Sequence, residues 1–177
     1  MSAPEGTPYT AEVFAELVLN RVAGPQVVAW AEAMLLAGFD SDYLIILVGE
    51  VPPYNQFELK ELLQRTGREL EVPPISSDKE ALEILVTCHI RRHAKGWTSR
   101  AQTLAAISRL ANEEEFPPDA LDFYFLDCAV EDLKSFGNFA PHWPEANPSN
   151  IDGIIQGKFD TWLTAHPLEK WRDREWV

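Results

Sequence analysis

Residues 77–96, SDKEALEILVTCHIRRHAKG, decide the fold class. Ser77 and Glu80 stand at the spacing of a capping box, in which a hydroxyl and a carboxylate satisfy backbone N–H groups left open at a helix start. The apolar run ALEILVTCHI follows at once. Arg91, Arg92, His93 and Lys95 fall in what would be the last turn, where the helix dipole favours cations. Gly96 supplies the stop. Start, apolar body, basic last turn and terminator agree, and together they predict a helix to about Ala94.

The same punctuation recurs upstream. Thr10 reads as the N-cap of a helix over residues 11–22, with Val13, Phe14, Leu17, Val18 and Val22 on one face and Glu12, Glu16 and Asn20 on the other. Gly24-Pro25 separates it from QVVAWAEAMLLA, residues 26–37, which is apolar nearly all round and is therefore expected at the centre of the core, with Gly38 as its C-terminal cap. Asp40 or Ser41 caps a short third helix through Val48, although IILV also suits a strand. Pro52-Pro53 breaks it. Asn55 then caps a helix from Gln56 to Thr66, in which Glu61 and Arg65 form an i,i+4 pair and which Gly67 closes.

Downstream, Thr98 reads as the cap of a helix through Ala111. Pro117-Pro118-Asp119 opens the longest apolar helix, residues 120–136, whose polar stripe is only Asp127, Glu131 and Lys134, so that contact from several sides is expected. Residues 138–149 read as a loop. Ser149 or Asn150 caps a last helix through about His166, and residues 1–9 and 167–177 read as a flexible N-terminus and a C-terminal tail. With about eight helices and no alternating strand, the fold class is all-α, a single-domain helical bundle (1–177) with short connections.

Composition supports a folded core. The 177 residues are 46% apolar and include six Trp and nine Phe. The two cysteines, Cys88 and Cys128, lie in apolar segments, which points to buried thiols and not to a disulfide scaffold. No basic run followed by an apolar stretch marks a signal peptide, and the apolar run around residues 43–49 is too short to span a bilayer, so a soluble, cytoplasmic protein is expected.

Charge is unevenly laid out. The formal net is -13: residues 1–59 hold eight acids and one base, Arg21, residues 60–112 are mildly basic, and residues 113–177 hold fourteen acids and five bases. This balance disfavours nucleic acid and anionic membrane as partners and favours a basic protein.

Three constellations could carry chemistry. Cys88, His89 and His93 include metal-ligating types at i,i+4 spacing, but they lack the further ligands a zinc site needs, and hydrogen-bonded histidines at a helix end are the plainer reading. Asp122 and Asp132 fall inside an apolar arc yet lie about 15 Å apart along a helix, too far to act as one acid–base pair. Asp122 suits a first turn, and Asp132 is expected to meet an Arg from a neighbouring helix. The third is Glu113, Glu114 and Glu115 with Phe116 and Asp119. Following a helix, the three glutamates oppose its dipole, so local energetics do not account for them. With Trp143 they form the candidate partner-binding surface, while Trp171 and Trp176 either anchor a partner or pack on the domain. No dinucleotide fingerprint, P-loop, nucleophile elbow or EF-hand is present, and no cofactor or metal is expected.

The residues from Ala29-Trp30-Ala31 through Met34-Leu35-Leu36-Ala37-Gly38-Phe39-Asp40-Ser41, with Leu44 and Leu47, resemble an uncharacterised family of small acidic bacterial α-helical proteins. Phe57-Glu58-Leu59, Gly67-Arg68-Glu69-Leu70 and the region from Gly96-Trp97 to Pro117 fit the same pattern, so the likeness covers about half the chain. Some such proteins are similar to toxin-neutralising immunity proteins. The matching positions are core and turn residues, and no functional residue transfers. The resulting expectation is a non-enzymatic interaction protein, with a Cys/His or metal-dependent enzyme and a helical small-ligand module as alternatives.

Overall fold

The computed structural model describes residues 7–113 and 118–174. Among these residues there are eight α-helices and no strand. They gather into two compact units, Met1–Leu85 with Leu168–Val177, and Val86–Pro167. The first holds α1 (Thr10–Val18), α2 (Gly24–Leu36), α3 (Asp42–Gly49), α4 (Gln56–Glu69), the start of α5 (Asp78–Ala94) and a 3-10 turn at Glu169–Arg174. The second holds the rest of α5, α6 (Arg100–Glu113), a 3-10 turn at Pro118–Ala120, α7 (Leu121–Phe136) and α8 (Ile151–Ala165).

Helix ends follow local chemistry, with four corrections. α1 stops at Val18 and not Val22, because Asn20 takes φ 60° and the Arg21 N–H bonds back to the Glu16 carbonyl at 2.8 Å. Asn tolerates this left-handed conformation, so a Schellman stop forms without glycine. Tyr9, not Thr10, is the N-cap residue, and its N–H donates to Glu12 Oε2 at 3.1 Å. α4 runs past Gly67 to Glu69. α6 is capped by Ser99, whose Oγ accepts from the Gln102 N–H at 3.2 Å while Gln102 Oε1 accepts from the Ser99 N–H at 2.8 Å, a complete capping box one residue beyond Thr98. The box of α5 is itself skewed: the Glu80 N–H donates to Ser77 Oγ, but Glu80 Oε2 accepts from the N–H of Ser76.

The core of the first unit centres on α2, as expected. Trp30 and Met34 are fully buried, with Leu44, Leu47, Leu59 and Leu63 from α3 and α4. Thr10 is buried because its Oγ1 accepts the Trp30 indole N–H at 3.0 Å, which removes the cost of burying that donor. Phe14 meets the Trp30 ring edge-on at 5.6 Å. A Cβ on Gly67 would lie 2.6 Å from Phe14 Cε1, so this glycine serves close helix packing and not termination. The last described turn belongs to the same unit: Trp171 is 2% exposed, and Lys170 Nζ donates to the Pro74 carbonyl at 3.0 Å and pairs with Glu80.

In the second unit the Phe123 ring lies 5.6 Å from Phe159 and 5.5 Å from Trp162, centroid to centroid. The Trp162 N–H donates to Thr87 Oγ1 at 2.9 Å. α7 packs on α6 and α8, but it buries only Phe123, Leu126, Ala129 and Leu133, a single stripe. Among the described residues α6, α8 and the 3-10 turn that precedes α7 meet its wide apolar arc, as expected, yet Phe125 and Phe136 stay exposed. No helix of the described residues is long and apolar enough to cross a membrane.

Candidate functional site

Of the expected partner-binding surface, Glu114, Glu115 and Phe116 lie outside the described residues, as does Trp176. Glu113 closes α6 and Asp119 sits in the 3-10 turn that leads into α7. Trp143 is half-buried, with Lys158 Nζ 5.4 Å from its ring centroid. The same ammonium donates to Asp122 at 2.5 Å. One lysine of α8 thus joins the loop tryptophan to the first-turn carboxylate of α7.

Asp132 meets a histidine and not an arginine. Its Oδ2 lies 2.8 Å from His142 Nδ1 and accepts the His142 backbone N–H at 3.4 Å, tying the loop after α7 back onto that helix. The two aspartates therefore have separate structural partners, as their separation along the helix implies.

The Cys88/His89/His93 region is built as a helix end. His93 Nδ1 lies 3.0 Å from the Thr98 carbonyl, and Nε2 lies 3.1 Å from Gln156 Oε1. A carbonyl can only accept, so Nδ1 carries a proton and donates. The Gln156 amide passes the contact on to Asp160 at 3.0 Å, and the Phe159 ring stands edge-on to the imidazole at 5.4 Å. With both ring nitrogens engaged, no lone pair of His93 faces open space. Cys88 is 1% exposed, and no disulfide joins it to the half-buried Cys128. Among the described residues no group of three His, Cys, Asp or Glu side chains could hold a metal ion. In the basic knot, burial first and repulsion from Arg91 and Arg92 second lower the Lys95 pKa, and its ammonium lies 4.8 Å over the Trp97 ring.

Two surface features were not anticipated. A groove of about 300 Å³ is lined by Phe14, Leu17 and Val18 of α1, by Arg68 of α4, and by Val72 and Ile75 beyond it. The second is the outer face of α3. Leu44 and Leu47 are fully buried, whereas Ile45 is 57% and Ile46 46% exposed. Asp42 and Gly49 complete that outward face at helical spacing. Val51 and Phe57, in the connection to α4 and its first turn, are 71% and 86% exposed. The available signal was the unbroken run Leu44–Val48, because consecutive helical residues point about 100° apart and cannot all fall on one buried face.

Compared with known protein families, curated proteins and solved structures, the chain gives no match.

Proposed function

We propose that this chain is a cytoplasmic, non-enzymatic interaction module of bacterial type that binds a cationic protein through acidic surface. An immunity-type protein paired with a basic toxin domain is the most concrete form, and it rests on the family resemblance. The charge carries the reading. Residues 1–59 hold eight acids against Arg21, and that arginine is already paired with Glu16 at 3.2 Å. Of the other acids, Glu32, Asp40, Asp42, Glu50 and Glu58 form no ion pair among the described residues, and opposed charge speeds encounter and selects partners. Farther along the sequence, Glu113, Glu114, Glu115 and Asp119 are the other acids of the proposed surface, with Phe116 and Trp143 as its apolar residues.

Affinity capture from the source organism's extract, with mass spectrometry, tests the reading. A stoichiometric partner of high isoelectric point is expected, released by salt and weakened when Glu113–Glu115 are changed to Gln. Failure to recover a basic partner, or retention unchanged by salt, counts against it. The groove beside Phe14 favours a second reading, a small apolar ligand, since about 300 Å³ is at the lower end of ligand-sized pockets. A thermal-shift screen of apolar compounds tests this, and Val18→Trp, which would fill the groove, should abolish any shift.

A further inference from the structure

We infer that the outer face of α3, with the chain that joins it to α4, is a docking surface for an apolar segment flanked by Lys or Arg on a partner protein. The inference rests on the cationic-partner reading and gives it a place. α3 separates its apolar residues into two opposed faces: Leu44 and Leu47 point into the core, and Ile45 and Ile46 point out between Asp42 and Gly49. Helical geometry sets these faces about 180° apart, so neither isoleucine can turn inward without withdrawing a leucine. Val51 follows two residues after the helix, and Phe57 opens α4, which packs against α3. Exposed apolar residues that follow one another over a short stretch of chain and two packed helices are what partner surfaces present, whereas scattered single ones need no explanation.

Charge chooses the occupant. From residue 22 to residue 59 the sequence has no Lys, Arg or His. Asp40, Asp42, Glu50 and Glu58 border the exposed apolar residues along the chain, and none forms an ion pair among the described residues. The next cations along the chain already have partners: Lys60 bonds Asn20, and Arg65, which leans on the ring of Tyr43 at the flank of α3, bonds Glu61. A second copy of this chain would set each acidic rim against its own duplicate, which like-charge repulsion opposes. An acidic or neutral segment would gain only the apolar contact. A segment with apolar residues at helical spacing and basic flanks satisfies both features at once, in the helix-on-groove mode of recognition.

The test is a titration of the full chain, isotopically labelled, with a synthetic amphipathic Leu/Lys peptide and with its Leu/Glu counterpart, read from backbone amide shifts. The Leu/Lys peptide should shift amides of residues 40–63, with binding weakened by salt. Ile45→Ser/Ile46→Ser, both exposed and so tolerated by the fold, should weaken it about tenfold or more. Asp42→Asn/Glu50→Gln should weaken it less and flatten the salt dependence. Shifts confined to α7 and α8, or unchanged affinity in the Ile45/Ile46 variant, overturn the α3 site while leaving a cationic partner standing. Equal binding of the Leu/Glu peptide, or no binding of either, overturns it too. Self-association in sedimentation velocity that the double variant abolishes would assign the face to a second copy and refute the inference. Loss of the captured basic partner on neutralising Glu113–Glu115, with no effect of Ile45→Ser/Ile46→Ser, sinks this site alone.

Discussion

The same substitution should have opposite effects at two helical glycines. Gly67 in α4 and Gly157 in α8 both stand inside helices, where Ala is favoured over Gly by about 1 kcal/mol. At Gly157 nothing lies within 4 Å of an added Cβ, so Gly157→Ala should realise most of that gain, about 0.5–1 kcal/mol. At Gly67 the Cβ would sit 2.6 Å from Phe14 Cε1 and 3.0 Å from Cζ. Carbon contacts settle near 3.5–4.0 Å, so the ring must move by about 1 Å. Phe14 is 8% exposed and is held edge-on against Trp30, which is itself fixed by its bond to Thr10. It can give way only by swinging into the adjacent groove and losing that contact. Overpacking of this kind costs about 1–3 kcal/mol, which outweighs the propensity gain and leaves Gly67→Ala destabilised by about 1 kcal/mol. Urea unfolding followed by circular dichroism gives both values at once. If Gly67→Ala proves as stabilising as Gly157→Ala, the close approach of α1 to α4 is wrong.

Further outcomes follow from other contacts. The Lys170 and Ser76 bonds hold the Glu80 pKa down at about 2, below its ordinary 4.5, so their stabilisation is complete above the unfolded value and lost as pH falls toward 2. The pair is partly exposed, which limits the effect to about 1 kcal/mol, and thermal melts should show Lys170→Met erasing that part of the acid sensitivity. Trp30→Phe strips Thr10 of a buried donor, whereas Trp171→Phe breaks no bond, since among the described residues the Trp171 indole N–H has no partner. Denaturant titration should therefore find Trp30→Phe the costlier of the two by about 1 kcal/mol or more. A thiol reagent should label Cys128 before Cys88, which is 1% exposed, and label Cys88 only as the protein unfolds; equal rates would contradict that burial. Lys158→Met should cost under about 1 kcal/mol, because both partners of the Asp122 pair are well exposed, yet shift Trp143 fluorescence.

Several element boundaries were legible because the interactions that set them reach only a few residues along the chain. Asp78–Ala94 matches the reading of residues 77–96, and Gly38 and Gly96 take the positive φ expected of stops. The misreadings are equally local. Asn20 and Glu71 take left-handed conformations without being glycine, and Ser99-x-x-Gln102 carries the capping-box spacing one residue beyond Thr98. Gly67 misled for a different reason. A glycine in sequence does not say whether it ends a helix or admits a ring, and only the position of Phe14 distinguishes the two.

For the candidate surfaces the division is sharper. The sequence alone established an all-α chain, strong acidity and its uneven layout, because residue type, short-range caps and 3.6-residue periodicity are intrinsic to the chain. It could not rank Ile45 and Ile46 against Leu44 and Leu47, which have the same chemistry and sit on the same helix. Burial is a property of what packs against a face, and α2 and α4 approach α3 from one side. Nor could it assign Asp132 to His142, or the Trp30 and Trp162 indoles to Thr10 and Thr87, since each partner comes from elsewhere in the chain. Tertiary packing decided which of many equivalent apolar residues stay outside, because only the neighbours of a face determine whether water reaches it.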